Sequence, residues 1–204
     1  MKKKTIFLAF AILGLSALMS SCGSGVGGSV DPKILENKEE VQKIYDVIMQ
    51  AMGAQAAKAD EIRISIDNPA DKGRTGDSYL TLMMDMQDPN KPKQLLRQLF
   101  HGELNRWLPT EEVTVQVWGN DKENFRLENE LFDFTKISAE QLFNMIQTAF
   151  NKENAEAGKY IYRYVNSVVI DAKGINVTVK GKLESNDQVI SKSVKFDLAG
   201  NEID

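Results

Sequence analysis

The sequence predicts an α+β domain, an antiparallel sheet with two helices, and three observations carry that prediction. Two stretches, Val41–Ala56 and Leu142–Phe150, repeat apolar residues at helical spacing. Runs of period two lie between and after them, as in Ile62, Ile64 and Ile66 or Ile175, Val177 and Val179. The helices are separated by several strands rather than one, which favours hairpins over parallel crossovers. A helix followed by strands occurs twice, so a tandem helix-plus-three-strand duplication is open, with a subdivision near residue 135. No side-by-side identity between the halves supports it.

Asp31-Pro32 offers a capping carboxylate with proline at the first helical position. Asn37 followed by Glu40 offers a second start. Val41, Ile44, Tyr45, Ile48, Met49, Met52 and Ala56 form one apolar stripe, which predicts a helix over residues 33–58. Ile62, Ile64 and Ile66 alternate with Arg63, Ser65 and Asp67 as a half-buried strand, and Asn68 to Gly76 reads as loop. Leu80, Leu82, Met84 and Met86 form the next strand, with the methionines as adaptable core filling.

Residues 93–107 carry mixed signals. Leu95, Leu96, Leu99 and Phe100 fit a helix, but the turn at Gly102 and the flanking Trp107 favour extended chain. Val113, Val115 and Val117 alternate as a strand, Asn120 to Asn124 reads as a turn, and Phe125, Leu127 and Leu131 continue the same period. The second helix has a start with a mechanism. Ser138 can cap the amide of Gln141, whose side chain can reach back, while Ile137 and Leu142 can meet as a hydrophobic staple. Three further strands are predicted, near Tyr160–Asp171, through Ile175–Val179 and around Val194–Leu198, with turns at Lys173-Gly174 and Asn186-Asp187. The closing run VKFDLAGNEI, residues 194–203, is similar to the last strands of small periplasmic β-lactamase-inhibitor-like or peptidase-propeptide-like domains.

The N-terminal part has a different logic. Gly23, Gly25 and Gly28 match G-x-G-x-x-G, but a phosphate-binding loop needs a strand before it and a helix after it. Here Lys2, Lys3 and Lys4 precede the apolar run Ile6–Met19, the layout of a secretory signal peptide. That run is too short to cross a bilayer comfortably as a helix, which needs about 20 residues. The sequence Leu18-Met19-Ser20-Ser21-Cys22 resembles the lipobox of bacterial lipoproteins, with Met19 where leucine is usual. The resemblance implies removal of residues 1–21, a diacylglycerol on the Cys22 thiol, and attachment to a membrane through that lipid. More than one acyl chain gives stable anchoring. Residues 22–30 are then the lipidated cysteine and a Gly/Ser tether, of root-mean-square span roughly 14–17 Å. Residues 31–204 form the globular domain. In lipoproteins of the Bacteroides type, acidic residues shortly after the cysteine resemble a surface-export signal. None occurs from Gly23 to Val30, and Gly23 stands where aspartate would signal inner-membrane retention in enteric bacteria. The resemblance therefore implies the outer membrane, facing the periplasm.

The three signal-peptide lysines account for three of 25 basic residues, which leaves 22 against 29 acidic residues in the mature chain, a formal charge of −7. That balance argues against nucleic acid as a partner and against a basic membrane-binding patch. Cys22 is the sole cysteine, so the domain must be held by packing without disulfides.

Catalytic signals are sparse. His101 is the sole histidine, which leaves no histidine pair for a metal and no partner for a G-x-S-x-G elbow. The carboxylate pairs Glu39-Glu40, Glu111-Glu112 and Glu128 with Glu130 read as solvated faces, the last beside Arg126 on one strand face. No enzyme activity, cofactor or metal is expected. Trp107 and Trp118, flanking the corner at Pro109, are candidate partner contacts, since exposed tryptophan is a frequent hot spot. The expectation is a binding or interaction module with an envelope protein partner. A periplasmic carrier or sensor for an apolar small molecule is the alternative, through a cavity lined by Leu82, Met84 and Val115. A carboxylate-based hydrolase is the remaining class.

Overall fold

The computed structural model describes residues 27–115, 125–152 and 159–203. Its first element, β1 (Ser29–Val30), is followed by a 3₁₀ turn at Ile34–Glu36 and by helix α1, Lys38–Met52. The helix starts at Asn37, whose side-chain oxygen accepts the backbone N–H groups of Glu39 and Glu40 at 2.9 and 3.3 Å. It is thus shorter than the predicted 33–58. Asp31 instead organises the separate turn, accepting the Lys33 amide on its carboxylate and the Ile34 amide on its carbonyl, each at 2.9 Å. Gly53, with φ of 54°, ends α1, and Gly53–Lys58 tighten into 3₁₀ turns.

Strands β2 (Ala59–Asp67), β3 (Ser78–Gln87) and β4 (Leu95–His101) form an antiparallel meander, so residues 95–101 take the extended option. The short strands β5 (Arg106–Trp107) and β6 (Glu111–Val113) both pair with the outer edge of β4. Helix α2 (Ala139–Lys152) opens with the expected reciprocal cap: Ser138 Oγ accepts the Gln141 amide at 3.1 Å, and Gln141 Oε1 accepts the Ser138 amide at 2.9 Å. A second meander follows, β7 (Tyr160–Asp171), β8 (Gly174–Leu183) and β9 (Val189–Phe196), closed by β10 (Glu202–Ile203).

The two meanders meet at the centre of one sheet, in the order β10-β9-β8-β7-β2-β3-β4-β5. There β2 and β7 pair antiparallel, with Ile64 opposite Val168 and Ser65 opposite Ser167. Helix plus three strands therefore occurs twice, and the halves share one sheet. Both helices lie on the same face of it and pack on each other. The core between them draws Ile44 and Ile48 from α1, Leu142 and Ile146 from α2, Ile62, Ile64, Leu82 and Met84 from the first meander, and Val168, Ile170 and Val177 from the second. At about 1.5–3 kcal/mol per fully buried aliphatic side chain, this cluster is the dominant favourable term in folding.

Two predicted extended segments differ. The strand through Val113 ends there, and Val115 lies outside it. Val117 and the Asn120–Asn124 turn fall outside the described residues. The expected strand through Phe125, Leu127 and Leu131 is instead a 3₁₀ turn at Leu127–Asn129. Because β5 and β6 already occupy the edge of β4, this segment has no partner there. Local bonds satisfy it instead, Asn129 N to Arg126 O at 3.0 Å and Glu130 N to Leu127 O at 2.9 Å.

Candidate functional site

Among the described residues, the helices leave the other face of the sheet uncovered, and the strand register assigns its side chains row by row. In an antiparallel sheet, residues directly opposite one another share a face. Ser193, Thr178, Ser167, Ser65, Thr81 and His101 are successive partners across β9, β8, β7, β2, β3 and β4. The result is a row of five hydroxyls ending in an imidazole, across six strands. Thr178 and Ser193 share a hydrogen bond of 2.9 Å. His101 is the last residue of β4 and half-buried, and its Nδ1 is closed off with no protein hydrogen-bond partner.

The next row mixes apolar and basic groups: Lys195, Asn176, Val169, Arg63, Met83 and Leu99. Beyond it lies a charged row of Asp171, Glu61, Asp85, Arg97 and Glu111. Here Arg97 clamps Asp85 with both branches of its guanidinium, Nε to Oδ1 at 2.8 Å and Nη2 to Oδ2 at 2.7 Å. The Asp85 carboxylate is buried, so this bidentate pair is shielded from water on the acidic side. Asp60, at a register shift in β2, is pushed up to about 6 by burial and by the neighbouring Asp85, Glu61, Glu130 and Asp171 carboxylates.

At the opposite end of the face, Asp71 closes the loop between β2 and β3 over the second meander. Its carboxylate accepts the hydroxyls of Tyr162 and Tyr164 and pairs with Lys180 at 2.9 Å. Burial, then the hydrogen bond to Asp71, pushes Tyr162 up to about 12 and Tyr164 higher. Neither phenol ionises near neutral pH, so the cluster works as a clasp.

A separate cleft of about 560 Å³ opens beside the N-terminal segment, lined by Ser29, Val30, Lys33, Ile34, Glu36 and Glu40 among others. Glu36 is held at about 7 by burial, against the lowering influence of Lys33 and Arg163. The Arg163 guanidinium lies 3.9 Å over the Phe150 ring. The cleft carries several charged side chains, a poor match to an apolar ligand.

The residues singled out in the sequence fall apart in space. Trp107 pairs opposite Phe100, so it stands on the helix side of the sheet, half-buried, with its ring edge-on to Phe100 at 5.3 Å. Trp118 and Cys22 lie outside the described residues. Leu82 and Met84 are sealed in the core beneath the helices. Glu128 and Glu130 share no strand face, since Glu128 sits in the 3₁₀ turn and Glu130 follows it. Glu112 pairs with Lys91, and Glu40 with Lys43. Among the described residues no cluster of three or more His, Cys, Asp or Glu is placed to hold a metal ion, and no helix is long and apolar enough to cross a membrane. The hydroxyl row was missed in the sequence because single serines and threonines acquire meaning only once strand register aligns them.

No family model and no curated protein matches the sequence. The chain is similar to a solved crystal structure of a "putative lipoprotein" from Clostridium difficile 630, at 10% identity and a TM-score of 0.43, over 79% of this chain and 88% of that one. That likeness is too distant to carry a function across.

Proposed function

We propose that this chain is a lipid-anchored envelope protein, outer-membrane-attached and facing the periplasm, that binds a protein partner through the uncovered face of its sheet. The observation that carries the binding role is the one-sidedness of the sheet: both helices seal one face, while the other presents ordered rows from six strands. Strands about 4.8 Å apart and side-chain rows about 7 Å apart give a patch on the order of 500 Å², comparable to one side of a small protein interface. A flat patch mixing hydroxyls, Met83, Leu99 and Val169 suits another protein surface better than a small molecule, which needs concavity. Trp107 belongs to the helix side of the sheet and lies off this surface, so it stays a separate candidate contact, as does Trp118. The role proposed is binding rather than catalysis. Support for the anchor comes from the lipobox-like residues 18–22.

The test is photo-crosslinking in cells from single positions. Ser65 and Thr81 on the open face should give one shared adduct, and Asp46 on the outer side of α1 should not. The captured protein should then bind purified domain in solution, and Arg63→Glu should weaken that binding. Adducts that ignore position, or a captured protein unaffected by Arg63→Glu, would refute the open face as the binding surface. Lipid labelling that persists in Cys22→Ser would refute the anchor.

A further inference from the structure

We infer that the domain rests on its own membrane by a defined corner, with Leu104 as the side chain that enters the lipid boundary. The inference rests on the lipid anchor at Cys22 proposed above. The described chain begins not in open solvent but packed against the fold. An ideal Cβ on Gly27 would lie 1.5 Å from the Asn105 Oδ1, so Gly27 is seated directly on the turn between β4 and β5. Two residues on, Ser29 and Val30 pair with Tyr79 and Ser78 of β3. The tether between Cys22 and the fold is therefore shorter than residues 23–30. Four residues lie between Cys22 and Gly27, and the five steps, at about 3.3–3.6 Å each, reach at most about 18 Å. The bilayer surface must lie within that distance of the Gly102–Asn105 turn.

The turn is built to project. Gly102 passes so close to β3 that a Cβ would fall 2.1 Å from the Leu80 carbonyl oxygen, which fixes where the chain leaves the sheet. Asn105 takes a φ of 46° and donates its amide to the Gly102 carbonyl at 3.0 Å. Leu104 is held at the tip, 49% exposed, one residue from the contact with Gly27. Ile161, 54% exposed at the start of β7, lies at the same end of the sheet. A single exposed leucine on a free protein signifies little. On a chain tethered within reach of a bilayer the encounter is intramolecular, and the effective concentration of the surface is high. Glu103 and Arg106 flank the tip with opposite charges, so the contact is apolar and needs no anionic lipid.

The experiment uses the full lipidated chain in phosphatidylcholine vesicles, its N-terminal lipid verified by mass spectrometry. An environment-sensitive fluorophore is placed at Glu103→Cys or, as reference, at Lys173→Cys in the turn between β7 and β8 at the far end of the sheet. Nitroxide lipids should quench the label at 103 several-fold more than the label at 173. Leu104→Glu should abolish most of that difference while the protein still sediments with vesicles. Equal quenching at the two positions, or a difference insensitive to Leu104→Glu, would overturn the docking geometry with the anchor intact. Quenching that requires anionic lipid or collapses with salt would likewise overturn the apolar contact. A chain carrying no lipid at Cys22 would instead overturn the anchoring reading itself.

Discussion

The Tyr164 hydroxyl donates to the Asp71 carboxylate at 2.5 Å, joining two residues 93 positions apart. Asp71 belongs to the loop leaving β2, and Tyr164 to the strand that pairs with β2 from the other half of the chain. The bond therefore fastens one half-domain to the other near the open face, with Tyr162 and Lys180 as additional ligands of the same carboxylate.

Tyr164→Phe removes a charge-assisted hydrogen bond from a carboxylate that is itself buried. The expected loss is about 1.5–3 kcal/mol, read from the urea midpoint. Tyr162→Phe should cost less, because its bond is longer, 3.0 Å, and its ring less buried. Equal losses would show that the clasp is no stronger at Tyr164.

Arg97→Ala leaves Asp85 without its bidentate partner. Removing one member of a fully buried pair costs about 3–5 kcal/mol, and the partial exposure of Arg97 brings the expectation to about 2–3 kcal/mol. Guanidinium denaturation of the single variant, compared with an Asp85→Leu/Arg97→Leu double variant, checks this. The double variant should recover part of the loss.

Stability should fall between mildly acidic and neutral pH. Glu36 is raised from 4.5 to about 7 and Asp60 from 3.8 to about 6, mainly by burial. A carboxyl with a raised folded pKa binds its proton more tightly when folded. Its contribution is complete below the unfolded value and disappears as pH rises through the folded one. Glu36→Gln should flatten the slope between pH 4.5 and 7 and add about 1–2 kcal/mol at pH 7, after discounting for partial exposure. Thermal midpoints across that range measure it; a slope unchanged in Glu36→Gln would refute the assignment.

Ser138→Ala should cost about 1 kcal/mol, the usual value of an N-cap. Gln141→Ala should cost less, since the Ser138 amide it serves is exposed. Helical circular dichroism during thermal unfolding distinguishes the two.

Much of the fold was legible because its signals are local. The alternation of Ile62, Ile64 and Ile66 and the cap at Ser138 carry their geometry in adjacent residues. The start of α1 was ambiguous because Asp31 and Asn37 are both good caps. Only Asn37 leads directly into a continuous stripe, while Asp31 is used on a turn of its own. Residues 125–131 misled because alternation specifies a strand only where an edge is free to receive it. The candidate surface was scarcely legible at all. Ser65 and Ser167 become neighbours through a strand pairing of high sequence separation, and Trp107, the residue that stood out, turned inward to Phe100.

The central pairing of β2 with β7 also constrains how the chain can assemble. Each meander pairs strands that are neighbours along the chain, but the seam must wait until α2 and the second half of β7 have emerged, a long loop whose closure slows folding. Until then both seam strands present bare edges, β2 rich in isoleucine and β7 in valine and isoleucine, and each is a template for the wrong chain. The interval before the seam closes is the vulnerable one. A truncated product ending before β7 would keep its meander and lose its safety, aggregating through β2 rather than persisting as a stable half.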